Sequence, residues 1–315
     1  MRYYFAPLEG LTDRIYRRLH HTYFGGVDRY YTPFLSPTVH RGLTAREQRE
    51  LPQADTLGFC VVPQLLTKNA DDFLWMASAC RDLGYEEVNL NAGCPSGTVT
   101  AKGKGSGLLR DTDALDAFLD SIFSKAPLPI SVKTRIGYNT AEEFADILAV
   151  YNQYPIQELT IHPRVRKDFY NGPVDMDCFR YAVQNSKAPV CYNGSLRTRE
   201  EVEAFSNGYP QIDAVMLGRG LIANPGLLTA GGTTVQALEQ FHNALLEEYI
   251  CAFGSSRNAM FRMKENWRHW LCLFEDSHKL GKRLRKATDE NEYKAVTREI
   301  FHTLNLASDI TPDWD

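Results

Sequence analysis

The segment Val88-Asn89-Leu90-Asn91-Ala92-Gly93-Cys94-Pro95-Ser96 decides how the rest of the chain is read. A strand ends in Asn91, Gly93 allows a tight turn, and Cys94 followed by Pro95 stands just beyond it. Outward from this segment, similar apolar runs cover residues 3–6, 29–32, 61–64, 87–91, 130–133, 158–162, 190–193 and 214–218. Segments between them, at 70–83, 112–124, 141–151 and 198–206, repeat their apolar positions at helical spacing. Eight strands alternating with helices predict an α/β fold, a (β/α)8 TIM barrel.

Residues that follow barrel strands converge on one mouth, where barrel active sites lie. Here they are Pro7-Leu8-Glu9, Gln64, Asn91, Lys133, His162, Asn193-Gly194 and Gly218-Arg219. Polar or backbone-exposing residues at seven of the eight ends are a stronger signal than any isolated Asn or Gln.

Composition shifts after Pro225. Gly231-Gly232-Thr233-Thr234 reads as a linker and helix start, and helical patterns follow at 235–253 and 257–274. The division expected is a barrel catalytic domain over residues 1–230 and a smaller all-helical domain over residues 231–315. At 315 residues the chain has room for both, since a barrel alone takes about 250.

Hydrophobic residues make up 43% and charged residues 23%, the balance of a soluble globular enzyme. The apolar run at the start is too short for a signal peptide and nothing approaches a membrane span, so a cytoplasmic location without membrane attachment is expected. The seven cysteines include no CxxC pair and are odd in number, which argues against a disulfide framework and against a zinc site; no metal is expected. A formal charge of −4 opposes nucleic acid if evenly spread, so any nucleic-acid partner would require a local basic patch.

After Cys94, Gly97, Gly103, Gly105 and Gly107 with Lys102 and Lys104 form a basic, mobile loop of the kind that closes over a polyanion. It is no P-loop, because Gly103-Lys104 is followed by Gly105 rather than Ser or Thr and the upstream glycine spacing is wrong.

Taken together, Ala6-Pro7-Leu8-Glu9-Gly10-Leu11-Thr12-Asp13, Asn91-Ala92-Gly93-Cys94-Pro95-Ser96, Ser131-Val132-Lys133-Thr134-Arg135-Ile136-Gly137, Ile161-His162-Pro163-Arg164, Asn193-Gly194-Ser195 and Met216-Leu217-Gly218-Arg219-Gly220 resemble the tRNA-dihydrouridine synthases over about residues 1–228. The resemblance implies FMN at the barrel mouth and NADPH as external reductant. It places Pro7, Leu8 and Glu9 along the flavin, Gln64 and Lys133 on its isoalloxazine and ribityl polar atoms, and His162 in contact with it. It gives the phosphate to Asn193, Gly194, Ser195, Gly218 and Arg219, in keeping with the usual barrel phosphate site. The chain departs from the family pattern at Leu8, usually Met, at Pro163, usually Gly, and at Ser195-Leu196, often acidic or Asp-Ile.

The implied reaction reduces the uracil 5,6 double bond in RNA, with hydride from reduced FMN to C6 and a proton from Cys94 to C5. Asn91 is expected on the uracil edge, and the base must leave its stack to reach the mouth. The RNA body is expected on a basic face carrying Lys264, Arg268, Lys282 and Arg283, extended toward the mouth by Lys102, Lys104 and Arg135. Trp267, His269, Trp270 and Phe274 interleave with the C-terminal cations. The partner expected is tRNA, with ribosomal RNA the alternative, bound by a monomer. Two rival readings are an FMN barrel of the dihydroorotate or dihydropyrimidine dehydrogenase type and a non-catalytic RNA-binding barrel.

Overall fold

The computed structural model describes residues 1–38, 40–307 and 310. Its strands are β1 (Arg2–Phe5), β2 (Arg29–Tyr31), β3 (Val61–Val62), β4 (Gln64–Leu65), β5 (Val88–Ala92), β6 (Ile130–Arg135), β7 (Leu159–His162), β8 (Val190–Tyr192) and β9 (Ala214–Leu217). They form one sheet in the order β3-β2-β1-β9-β8-β7-β6-β5-β4, and every register described is parallel. The ends of this order, β3 and β4, are consecutive in the chain and separated by Pro63 alone, so the sheet runs round a barrel. Pro63 has no N–H to give, which splits the expected strand 61–64, yet its carbonyl still accepts the Asn89 N–H at 2.8 Å.

The helices are α1 (Arg14–Tyr23), α2 (Ala45–Glu50), α3 (Ala70–Asp82), α4 (Gly97–Thr100), α5 (Thr112–Phe123), α6 (Phe144–Tyr151), α7 (Met176–Asn185), α8 (Arg199–Gly208), α9 (Arg219–Ala223), α10 (Val235–Phe253), α11 (Ser256–Trp270), α12 (His278–Lys286) and α13 (Glu290–Thr303). The α/β barrel with a helical C-terminal region is as the sequence predicts. Side-chain caps start several helices where the sequence supplies them: Asn69 takes the N–H of Asp72, Asp111 those of Asp113 and Ala114, and Asp175 that of Cys178.

By compactness the chain forms two units. The first comprises residues 1–9, 28–194 and 209–216, and the second residues 10–27, 195–208 and 217–315. The division expected at 230/231 follows composition, whereas this one follows contacts, which group α1, α8 and α9 with the C-terminal helices.

In the first unit the alternation of strand side chains sets two chemistries on the barrel interior. Tyr4, Ala6, Tyr31, Val62, Cys191, Ala214 and Met216 pack as an apolar cluster. Register aligns Gln64 with Asn89, Asn89 with Ser131, Asn91 with Lys133, Lys133 with Thr160 and Arg135 with His162. Paired residues share a face, so these polar side chains form one continuous band.

The second unit has its own core around buried Trp267, Trp270, Phe241 and His242. A neutral relay crosses it: Trp267 Nε1–H donates to Tyr293 Oη at 3.1 Å, Tyr293 Oη–H to His242 Nε2 at 2.8 Å, and His242 Nδ1–H to Asn243 Oδ1 at 2.9 Å. Asp13 caps α1 through the Tyr16 N–H at 2.9 Å while accepting from Tyr249 Oη at 3.1 Å and pairing with Arg262 at 2.7 Å. Among the described residues no helix is long and apolar enough to cross a membrane.

Candidate active site

Cys94 stands past the end of β5 on a turn that Asn91 builds. Asn91 Oδ1 accepts the N–H groups of Gly93 at 3.1 Å and Cys94 at 2.9 Å. Its Nδ2 donates to Gln64 Oε1 at 2.7 Å, Gln64 Nε2 to Asn89 Oδ1 at 2.8 Å, and Asn89 Nδ2 to Ser131 Oγ at 2.9 Å. Three buried carboxamides thus orient one another, with every flip fixed by its neighbour. Asn91, expected to read a uracil edge, is first of all the residue that shapes the Cys94 turn.

The glycine segment after Cys94 is corrected from a mobile loop to ordered structure. It forms α4 and a 3-10 helix over Gly105–Arg110 whose first five residues are buried. Ser106 returns to Cys94, donating to its carbonyl from the backbone N–H at 3.1 Å and from Oγ at 2.8 Å. Gly105 has φ +59°, and a Cβ there would stand 2.9 Å from both the Cβ and the carbonyl oxygen of Cys94. Only glycine permits that approach. Lys102 is exposed on this segment and Lys104 half-buried.

β6 runs two residues further than expected, to Arg135. Arg135, expected on an RNA-facing surface, is instead 1% exposed. Its Nε donates to Gly93 O at 2.9 Å, Nη1 to Val165 O at 3.0 Å and Nη2 to Phe169 O at 2.5 Å. A buried guanidinium needs its donors satisfied, and these carbonyls do so while tying the Cys94 turn to the loop after β7.

Lys133, two residues earlier on the same face, has no hydrogen bond or ion pair with a described residue. Burial, reinforced by the Arg135 charge, lowers its pKa to about 8. The Cys94 thiol moves the other way, raised by burial against the lowering influence of the Ser96 backbone, Arg135 and Lys133. It is a protonated thiol at neutral pH.

His162 ends β7, with Nε2 at 3.0 Å from Arg164 Nη1. Arginine only donates, so Nε2 accepts and the ring is the neutral Nδ1–H tautomer, as assigned from this bond. The Arg164 N–H bonds the His162 carbonyl at 2.7 Å across Pro163, a three-residue turn that proline's fixed φ favours. The departure at Pro163 therefore serves to bring Arg164 back to His162. Tyr170 stacks on the imidazole at 6.0 Å between ring centroids.

Asn193 continues from β8, donating from Nδ2 to Met216 O at 2.7 Å, and Gly194 lies where a Cβ would strike the Tyr192 hydroxyl. Pro7 and Leu8 follow β1 half-buried, while Glu9 is exposed and ion-paired with Arg46. In the second unit, Ser195 and Arg219 are half-buried, and Gly218 caps α9 by accepting the Leu221 N–H at 3.0 Å. A Cβ at Gly220 would lie 2.4 Å from Leu196 O, so glycine is what lets the loop after β8 reach α9.

The C-terminal cations divide by environment. Lys264 donates to the Arg285 and Ala287 carbonyls at the end of α12, Arg268 pairs with Glu265, Arg283 with Glu299, and Arg262 is held by Asp13. Lys279, Lys282, Arg285 and Lys286 are exposed on α12, whose Leu280, Gly281 and Leu284 are buried. Trp267, Trp270 and Phe274, expected among the surface cations, are core residues instead. Among the described residues no cluster of His, Cys, Asp and Glu could hold a metal ion.

The family model described as "Dihydrouridine synthase (Dus)" matches residues 4–309. The chain belongs to the dihydrouridine synthase family. Its similarity extends to tRNA-dihydrouridine synthase B of Pasteurella multocida, 27% identical over 227 residues, covering 72% of this chain and 67% of that one. The corresponding protein of Yersinia pestis is 30% identical over 70% of this chain and 68% of its own length. A probable tRNA-dihydrouridine synthase 1 of Synechocystis is 31% identical over 71% of this chain and 62% of its own. Among solved structures, morphinone reductase superposes with TM-score 0.52 at 13% identity, covering 72% of this chain and 84% of that one. A variant of NCR from Zymomonas mobilis superposes with TM-score 0.50 at 15% identity, covering 76% and 87%. These two likenesses concern the fold.

This dihydrouridine synthase family member is a flavin-dependent oxidoreductase, and both rival readings, a small-pyrimidine dehydrogenase and a non-catalytic barrel, give way to that assignment. Its residues suit a flavin: the half-buried Lys133 ammonium, without a partner among the described residues, is a cation that a group turning anionic on reduction would neutralise. Asn89, Ser131, Ser106 and Arg164 complete the site and were not singled out from sequence. Two-residue spacing from Asn91 and Lys133 points to Asn89 and Ser131, whereas nothing local points to Ser106.

Proposed function

We propose that the chain reduces the 5,6 double bond of uridines in tRNA to dihydrouridine, using bound FMN re-reduced by NADPH. The relatives' names support the substrate. The observation that carries the chemistry is the Cys94 turn, where a thiol kept protonated by burial is fixed by Asn91, Ser106 and Arg135.

Reduced FMN, when bound, supplies the hydride that uracil C6 requires. Pro7, Leu8 and Glu9 would line it, Gln64 and Lys133 would bond its ring and ribityl polar atoms, and His162 would add a neutral donor. Asn193, Gly194, Ser195, Gly218 and Arg219 would hold its phosphate, with Arg219 supplying charge. Cys94 Sγ gives its proton to C5, and the thiolate left behind is stabilised by Lys133 and Arg135 until solvent reprotonates it. Residues 231–315 act as the RNA-binding domain, with Lys282 and its exposed neighbours on α12 as the basic face.

The test is an unmodified tRNA transcript incubated with the FMN-loaded protein and NADPH, then mapped by mass spectrometry. A gain of two hydrogens at discrete uridines is expected. Absence of dihydrouridine at every position overturns the proposal.

A further inference from the structure

The loops that follow β5, β6 and β7 in the first unit carry a second cluster, outside the flavin and acid residues. Tyr138 has Arg110 over its ring at 4.2 Å from guanidinium carbon to centroid and Arg166 at 5.1 Å. Arg110 also donates to the Tyr138 hydroxyl, and Arg166 lies 5.9 Å over the ring of Phe169.

Neither guanidinium has a carboxylate within ion-pairing distance among the described residues, and Arg166 Nε is buried without a partner. The nearby acids are otherwise engaged: Glu143 accepts the N–H groups of Tyr138, Asn139 and Thr140, and Asp168 accepts that of Val165. Two like charges on one ring repel each other with no counterion, an arrangement that an anion relieves.

Phe169 adds a different observation. It is 44% exposed and has φ +49° with ψ −103°, a conformation unfavourable for any residue with a side chain. Its strain is maintained by the Arg135 bond to its carbonyl and by its own N–H to Arg166 O at 3.2 Å. The outcome is a large ring held in solvent beside Arg166, whose guanidinium shares the Tyr138 ring with Arg110, where core packing gives no reason for it. Cations that follow a phosphate backbone with an aromatic face for a base are the recurrent elements of single-strand nucleic-acid binding.

We propose that Arg110, Tyr138, Arg166 and Phe169 form a clamp for the single-stranded RNA flanking the target uridine. The two guanidinium groups take phosphates, and the Phe169 ring stacks on a neighbouring base. The clamp rests on the reading of RNA as substrate. Because Arg135 bonds both Gly93 O and Phe169 O, the strand seated on Phe169 is referenced to the Cys94 turn.

The experiment measures binding of an unmodified tRNA transcript to the full-length FMN-loaded protein across a salt series. The Arg110→Ala/Arg166→Ala double variant should bind about tenfold more weakly near physiological salt, with the slope of log affinity against log salt shallower by about 1.4, or roughly 0.7 per phosphate. Phe169→Gly should weaken binding severalfold with no change in slope, since the ring carries no charge. The conservative double variant Arg110→Lys/Arg166→Lys keeps both charges and should retain the slope. A melting temperature no lower than that of the wild type excludes misfolding in each variant. Wild-type affinity and slope in the double alanine variant overturn the clamp while leaving the substrate reading intact. Failure of the wild-type protein to bind the transcript removes both.

Discussion

Asn91 Oδ1 accepts the backbone N–H of Cys94 at 2.9 Å, so the residue that ends the strand also sets where the proposed acid stands. The same oxygen takes the Gly93 N–H, and the same side chain is fixed by Gln64. Acid placement is thus a property of a carboxamide chain that spans β4 and β5 and ends on the Ser131 hydroxyl of β6.

Asn91→Ala leaves the Gly93 and Cys94 N–H groups and the Gln64 carbonyl without their partner. A stability loss of about 1–3 kcal/mol is expected, together with a fall in tRNA reduction of about a hundredfold from the misplaced acid. Asn91→Asp keeps the acceptor and should fall between. Denaturant titration and single-turnover reduction measure the two effects, and a wild-type rate in Asn91→Ala rules out the positioning role.

Cys94→Ala should retain bound flavin while losing tRNA reduction by about 10²–10⁴. Since burial raises the thiol pKa, the acid form persists above its ordinary range. Turnover limited by that proton should therefore stay level through neutral pH and decline only in alkali. A decline already complete at neutral pH contradicts the assignment of Cys94.

Lys133, lowered to about 8, is charged in both folded and unfolded chains below that pH, and the folded chain pays for burying it. As pH rises from about 8 toward the unfolded value near ~10.5, the folded state sheds its proton first and stability increases. Lys133→Met should raise the melting temperature at pH 7, with the advantage disappearing as pH passes ~10.5. Flavin binding should weaken in the same variant. An equal melting temperature at all pH values contradicts the buried charge.

His20 and His242 are buried and neutral, lowered to about 3 and about 4 respectively. His20 Nε2–H donates to Pro225 O at 2.9 Å, and His242 belongs to the relay with Tyr293. Below the unfolded value of ~6.5 the unfolded chain takes up protons that the folded chain refuses, so stability falls by about 1.4 kcal/mol per pH unit for each histidine. The loss for His242 runs down to about 4 and for His20 to about 3. His242→Gln should reduce the acid slope between pH 6 and 4.5 by roughly half of the pair's contribution; chemical denaturation over that range checks it.

The barrel was readable because each strand announces itself locally, by β-branched apolar runs closed with polar residues. α1 and α7 were missed, since 14–23 is dense in Arg and His and 176–185 interrupts its apolar residues with Asp177, Arg180, Gln184 and Asn185. The glycine segment 97–110 looked like a loop because glycine count suggests freedom, while here Gly105 serves close contact with Cys94.

Cations show most clearly what the linear chain decides. Lys133, Arg135, Arg110 and Arg166 are all cations as letters, and the first two stand at the end of β6. Only the folded chain separates them: Arg135 is enclosed by three carbonyls, Lys133 is half-buried without a partner among the described residues, and Arg110 and Arg166 flank a half-buried tyrosine. Sequence by itself determined the strand–helix order, the polar strand ends and the Cys94 turn, because these depend on neighbours a few residues away. Tertiary structure alone decided which charges are satisfied and which await a ligand, because solvation and hydrogen-bond partners come from residues distant in the chain.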